Sequence, residues 1–121
     1  MVKIKRIYDP ATEGDGERIL VDRLWPRGVT KESARLSSWV KKLGPTAELR
    51  KWFGHDPSRW EDFRTRYTRE LQTPDHRALL EDLAARSRRR VVTLVFGARD
   101  RERNHAAVLK SLIGNIAKKA A

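Results

Sequence analysis

The chain has 121 residues and no cysteine. Disulfides, thiolate zinc sites and a cysteine nucleophile are therefore excluded. No apolar run approaches the roughly 18 residues of a membrane helix, so no membrane partner is expected. The opening residues, Met1 to Tyr8, are too charged for a secretory signal. These absences predict a soluble, cytoplasmic protein. There is no glycine-rich phosphate loop, since Glu13-Gly-Asp-Gly16 reads as a turn. There is no Gly-x-Ser-x-Gly elbow either, which argues against an ordinary serine hydrolase. The three histidines, His55, His76 and His105, lack the paired spacing of metal motifs. No metal and no other cofactor is expected. Acidic residues are the scarce charge, 16 against 27 basic, for a net +11.

That excess attracts anions. Counterion release favours nucleic acid, and the same field draws small anionic ligands. The alternative is a solvated surface, since 18 of the basic residues are arginine, a cation tolerated almost anywhere on a surface. The densest run, Arg86-Ser-Arg-Arg-Arg90, lies between a helical pattern and a strand and reads equally well as a solubilising turn.

Val2 to Tyr8 alternates apolar and charged residues, the period of a half-buried strand. Arg18 to Leu24 has a continuous apolar centre, which suits a central strand. Pro26 and Gly28 end it. Thr30 is placed to cap a short helix. Leu36 to Leu43 fits a short strand or a helical turn. Pro45 to Phe53 reads as a helix stopped by Gly54. Asp56-Pro57 restarts one, with Trp60, Phe63, Tyr67 and Leu71 on its inner face. Pro74 and Asp75 start the next, with Leu79, Leu80 and Leu83 inward. Val91 to Phe96 is the strongest strand signal. Asn104 to Lys119 closes the chain as a helix. Strands early and late with helices between predict one α/β domain over residues 1–121, a small, mainly parallel sheet covered by helices. A ferredoxin-like α+β arrangement is the alternative.

Two segments carry the candidate chemistry. Asp22-Arg-Leu-Trp-Pro-Arg-Gly28 follows the second strand, and Gly97 to His105 follows the last. Ligands of parallel sheets bind beyond the carboxyl ends of the strands. If the two strands are parallel neighbours, these segments meet. Asp22 would then be the acid/base or nucleophile candidate, with His105 beside it as the second catalytic candidate. Arg23, Arg27 and Arg99 would fork onto an anion. Trp25 would stack on a ring, Gly28 would free the backbone, and Asn104 would orient the ligand. Helix N–H groups at the start of the last helix would add an anion site. Each residue also has a structural reading. Asp22 and Arg23 can fix the loop, Trp25 can cover the sheet end, Asn104 can cap its helix, and Arg99-Asp100 can form a solvated turn. Arg50, His55 and Asp56 lie at a helix break where Asp56 suits an N-cap. His55 there could reach a site, but nothing in the spacing demands it.

These residues resemble the YeaO-like branch of a bacterial family of unknown function. The likeness runs over almost the whole chain. It is carried by Arg6-Ile-Tyr8, Arg18-Ile-Leu-Val-Asp-Arg-Leu-Trp-Pro-Arg-Gly28, Glu48-Leu-Arg-Lys-Trp-Phe53, His55-Asp56, Trp60, Phe63, Tyr67 and Asn104-His105-Ala106. It implies a compact α/β fold and no established reaction. The loop after the last strand departs from the small residue and Lys-Asp common in that branch, reading Gly97-Ala-Arg-Asp100. Some relatives carry MarR-type regulator labels, but a winged helix needs a β-hairpin, for which this pattern has no signal. Three functions follow: an enzyme or ligand-binding domain for a phosphorylated or nucleotide-like anion, a non-catalytic nucleic-acid-binding module, or a small interaction protein.

Overall fold

Val2–Arg6 (β1), Glu17–Leu20 (β2), Ser38–Trp39 (β3) and Val92–Phe96 (β4) form one sheet in the order β1-β4-β2-β3. This is a computed structural model, and it describes residues 1–119. Every pairing is parallel, so each return to the sheet needs a crossover. The crossovers contain α1 (Lys31–Ala34), α2 (Ala47–Phe53), α3 (Trp60–Glu70) and α4 (Pro74–Ser87), and α5 (His105–Lys119) follows β4. The fold is α/β. No antiparallel pair exists among the described residues, which removes both the ferredoxin-like alternative and a winged-helix hairpin. No helix among them is long and apolar enough to cross a membrane.

The predicted strands are longer than the observed ones. β2 stops at Leu20, although the Val21 N–H still donates to the Val95 carbonyl at 3.1 Å. Beyond that point a side chain, Asp22, takes over the ladder, and the backbone turns away. The ambiguous stretch at 36–43 resolves into both predicted forms, the two-residue β3 and one 3-10 turn over Lys41–Leu43.

β4 is buried along its whole length, as a central strand should be. One sheet face carries the larger core. There Ile19, Leu94 and Phe96 meet Phe63, Tyr67, Leu80, Leu109 and Ile113. The helical stripe is the reason, since Phe63, Tyr67 and Leu71 recur at the 3.6-residue period. Phe53 stacks on Phe63 with centroids 4.3 Å apart. The Tyr67 hydroxyl donates to the Leu43 carbonyl. Burial, with the Glu70 and Asp22 charges behind it, keeps that phenol protonated well beyond its ordinary range. The other face is thinner. Ile7, Leu20, Ala34 and Val95 pack there under Trp25 and Trp39. The caps are local chemistry. Thr30, Asp56 and Thr73 side chains accept the N–H groups of Ser33, Ser58 and His76, sparing each helical turn an orphan donor.

The Glu13–Gly16 turn wraps a buried carboxylate. Asp15 is 5% exposed and Arg18 only 3%. The Arg18 Nη1 donates to Asp15 Oδ2 at 2.7 Å and its Nε to the Ala34 carbonyl at 2.9 Å. Lys5 Nζ reaches Asp15 Oδ1 at 3.0 Å, and the Thr12 backbone N–H and hydroxyl complete the shell. Gly16 makes the close turn possible. Its φ is 61°, and a Cβ there would lie 2.3 Å from the Val91 carbonyl oxygen. Burial by itself would raise the Asp15 carboxyl. The Thr12 N–H, Lys5, Arg18 and the Thr12 hydroxyl outweigh it and hold the group well below the usual carboxylate range.

A carboxyl whose folded pKa is depressed adds stability above its unfolded pKa and loses it as pH falls. Stability should therefore drop as pH is lowered through about 4. Asp15→Ala, which leaves the Arg18 guanidinium buried and unpaired, should cost about 3–5 kcal/mol at neutral pH and flatten that acid limb. Urea unfolding from pH 7 to pH 3 measures both effects. An unchanged acid limb in the variant would mean that Asp15 is not the group responsible.

Candidate functional site

The β2–β4 register decides what meets at the carboxyl edge. Leu20 lies opposite Val95, so Asp22 and Gly97, each two residues further on, leave the sheet side by side. The Gly97 N–H donates to Asp22 Oδ2 at 2.9 Å. A Cβ on Gly97 would lie 2.9 Å from that same oxygen, so the contact needs a residue without a side chain. From the start of α5, His105 Nε2 donates to the Val21 carbonyl at 3.2 Å and lies 2.9 Å from Asp22 Oδ1. Both neighbours are acceptors, so Nε2 carries a proton. The N–H is aligned on Val21, and Asp22 Oδ1 sits beside it without an aligned donor, closed off from solvent.

A cavity of about 260 Å³ opens above this contact, lined among others by Asp22, Arg23, Trp25, Arg50, His55 and His105. Tyr8 and Pro45 form part of its wall. The structure therefore brings Asp22, Arg23, Trp25 and His105 together. Several of them are already engaged. Arg23 donates from Nε to the Pro45 carbonyl at 3.0 Å and from Nη2 to the Gly44 carbonyl at 2.8 Å. Gly44 packs so closely that a Cβ there would lie 2.5 Å from the Arg23 nitrogen. Trp25 donates its indole N–H to the Val29 carbonyl at 2.7 Å and meets Trp39 edge to face at 5.3 Å. The Trp39 indole donates to the Asp22 carbonyl at 2.6 Å.

The remaining predicted residues lie apart. Arg27 and Arg99 are exposed and do not line the cavity. The Arg27 carbonyl accepts the Tyr8 hydroxyl at 2.8 Å, which ties down the loop. Gly28 supplies a turn at φ 77° with open space around it. Asn104 is 2% exposed and caps α5. Its Oδ1 accepts the Ala107 N–H and its Nδ2 donates to the Asp100 carbonyl, both at 2.9 Å. That fills one of the helix N–H groups expected to face an anion. Asp100 in turn accepts the Arg103 and Glu102 N–H groups, and those two bonds hold its carboxyl below the ordinary range.

The cavity adds two basic side chains from the helix break, Arg50 and His55. Arg50 is half-buried and its guanidinium has no hydrogen-bond or ion-pair partner among the described residues. His55 follows Gly54 in a turn where both have positive φ, 57° and 53°. A non-glycine residue in that region is uncommon and costs strain. The Gly54-His55 sequence was the available signal, and the site depends on α2 ending beside the sheet edge, which spacing does not reveal. Among the described residues, no three His, Asp or Glu side chains gather as a metal site.

Comparison with known proteins places this chain in a family. The model of the family described as the inactive DUF488-N3 subclade matches residues 1–121. The chain belongs to that subclade. It is 42% identical to the uncharacterized protein YeaO of Escherichia coli over 115 residues, covering 95% of this chain and 98% of YeaO. An uncharacterized protein of Mycobacterium tuberculosis is also 42% identical over 112 residues, 93% of this chain and 92% of the relative. No solved structure matches the chain. Membership in the subclade fits the YeaO-like resemblance seen in the Asp22–Gly28 segment.

In this DUF488-N3 chain, Asp22 is first of all the tie between two loops. Asp22→Ala leaves the Gly97 N–H without its acceptor, which should cost about 1–3 kcal/mol. Gly97→Ala, which drives a Cβ into Oδ2, should destabilise as well. Denaturant titration of both variants reads this out. A wild-type midpoint for Asp22→Ala would show that the tie contributes nothing.

Proposed function

We propose that the chain is a binding domain for a small phosphorylated or nucleotide-like anion, held in the cavity at the carboxyl edge of the sheet, with no bond chemistry at Asp22. The observation that carries this reading is the imbalance of free groups around the cavity. Arg50 and His55 line it with no hydrogen-bond or ion-pair partner among the described residues, while Asp22 has one oxygen on the Gly97 N–H and the other shielded. A guanidinium with free donors suits carboxylate or phosphate oxygens.

The enzyme reading gives Asp22 the role of base or nucleophile. Either role needs an oxygen that reaches the ligand, and the engaged carboxylate argues against it. The family description, an inactive subclade, agrees with binding rather than turnover. Size points the same way. About 260 Å³ is below the roughly 300–1,000 Å³ of clefts for drug-sized ligands, which suits a ligand no larger than a mononucleotide. In this reading Arg50 holds the anion, His55 closes the mouth, and His105 and Arg23 keep the wall in shape.

The test is calorimetric titration with AMP, inorganic phosphate and uncharged adenosine at fixed ionic strength. AMP or phosphate should bind and adenosine should not. Losing a charged hydrogen bond, about 1.5–3 kcal/mol, should weaken binding of Arg50→Ala by roughly 10- to 100-fold while its unfolding midpoint stays near wild type. Equal binding of adenosine and AMP, or wild-type affinity in Arg50→Ala, would overturn the proposal.

A further inference from the structure

We infer that the opposite, amino edge of the sheet is a docking face for the phosphate backbone of a nucleic acid, bound without sequence preference. The inference is independent of the carboxyl-edge cavity. A shallow depression of about 420 Å³ lies where β1 begins and α4 ends, lined among others by Val2, Arg88, Lys110, Gly114, Ala117 and Lys118. Among the described residues it contains three cationic side chains and no carboxylate. Other depressions on the molecule each include at least one, Glu81 between α4 and α5, Glu102 between α3 and α5, and Glu48 and Glu70 beside α2.

The Arg86–Arg90 run divides by partner. Arg86 and Arg90 both reach Glu17, at 3.4 and 3.5 Å, and Arg86 also pairs with Asp82. Arg88 and Arg89 are exposed and have no acidic partner among the described residues, and the same holds for Lys110 and Lys118. The unpaired members of the run are thus free to take an external anion.

Spacing favours a polymer over a free ion. Lys110 and Lys118 are eight residues apart on α5, about 12 Å at 1.5 Å per residue. That is the rise of three to four phosphates along one strand of a duplex, at about 3.4 Å each. At 100° per residue Lys110, Gly114, Ala117 and Lys118 share one side of the helix. The floor between the ammonium groups is small. A Cβ on Gly114 would meet nothing within 4 Å, so a sugar-phosphate chain can approach the backbone closely. Apart from Met1, no large apolar side chain among the described residues projects from this edge, which leaves little to insert into a lipid surface.

The experiment is fluorescence anisotropy of the full chain on a labelled 20-base-pair DNA and a labelled single-stranded RNA, from about 50 to 200 mM salt. Three phosphate contacts predict a log–log salt slope of about −3 from this edge. Arg88→Ala/Lys110→Ala/Lys118→Ala should lower affinity at least about tenfold more than Lys31→Ala/Lys51→Ala/Arg103→Ala, a charge-matched set elsewhere, and remove about one unit of slope per cation. All six positions are exposed, and matching unfolding midpoints confirm intact folds. The inference is overturned if both triple variants lose affinity equally, because binding then belongs to the diffuse +11 field. No binding at 50 mM salt overturns it too, as does binding to phosphatidylserine vesicles in place of nucleic acid. Arg50→Ala should leave this binding unchanged, so failure here and failure of the cavity reading are separable.

Discussion

Parallel pairing of β2 with β4 is the constraint on which the carboxyl edge depends. In a parallel pair both strands leave the sheet at the same end. The register that sets Leu20 against Val95 then sets the Asp22 side chain against the Gly97 N–H. One carboxylate oxygen continues the ladder where the backbone stops. The second keeps company with His105, so the first turn of α5 is held against the end of β2. Arg23, Trp25 and Trp39 add bonds from side chains to backbone carbonyls around the same turn. The segment with the densest functional look is therefore knitted mostly into itself, and the groups left over, Arg50 and His55, come from a different element.

Charge follows the same logic. A net +11 describes the chain, not a surface. On the helices several basic side chains are met at short range by acidic ones, as in Arg64 with Glu61, Arg77 with Glu81 and Arg86 with Asp82. Such exposed pairs contribute little to stability, yet they neutralise the local field. The buried Asp15–Arg18 pair is different. Both ions are out of water, and the compensating hydrogen bonds are what make that burial tolerable. Position relative to acidic neighbours, not the total, decides which cations remain available to a ligand.

The periodic elements were legible. Trp60, Phe63, Tyr67 and Leu71 announce a helix face because 3.6-residue geometry leaves a mark in the residue order. Thr30 and Asp56 announce helix starts because their bonds reach only two or three residues along. Val91 to Phe96 announces a buried strand by β-branched content. The misses share one feature. Asp15 reads as a turn acid, and nothing nearby says that Lys5 and Arg18 will close over it. Arg23 has the residue type of a ligand site, but its partners, Gly44 and Pro45, approach only after the crossover through α1 and β3, and Trp39 reaches Trp25 by the same route. Arg27 and Arg99 sit at the right sequence positions and project to solvent.

Local chemistry thus determined the class of fold, the helix faces and caps, the central strand and the two segments beyond the strand ends, because those features depend on neighbours a few residues away. Trp25, Asp100 and Asn104 in those segments are spent on backbone groups two to four residues away, whereas the engagement of Asp22, Arg23 and His105 was decided by tertiary structure. Asp22 with Gly97 spans 75 positions and His105 with Val21 spans 84. Contacts at that separation are set by strand register and helix docking, and neither leaves a periodic trace in the order of residues.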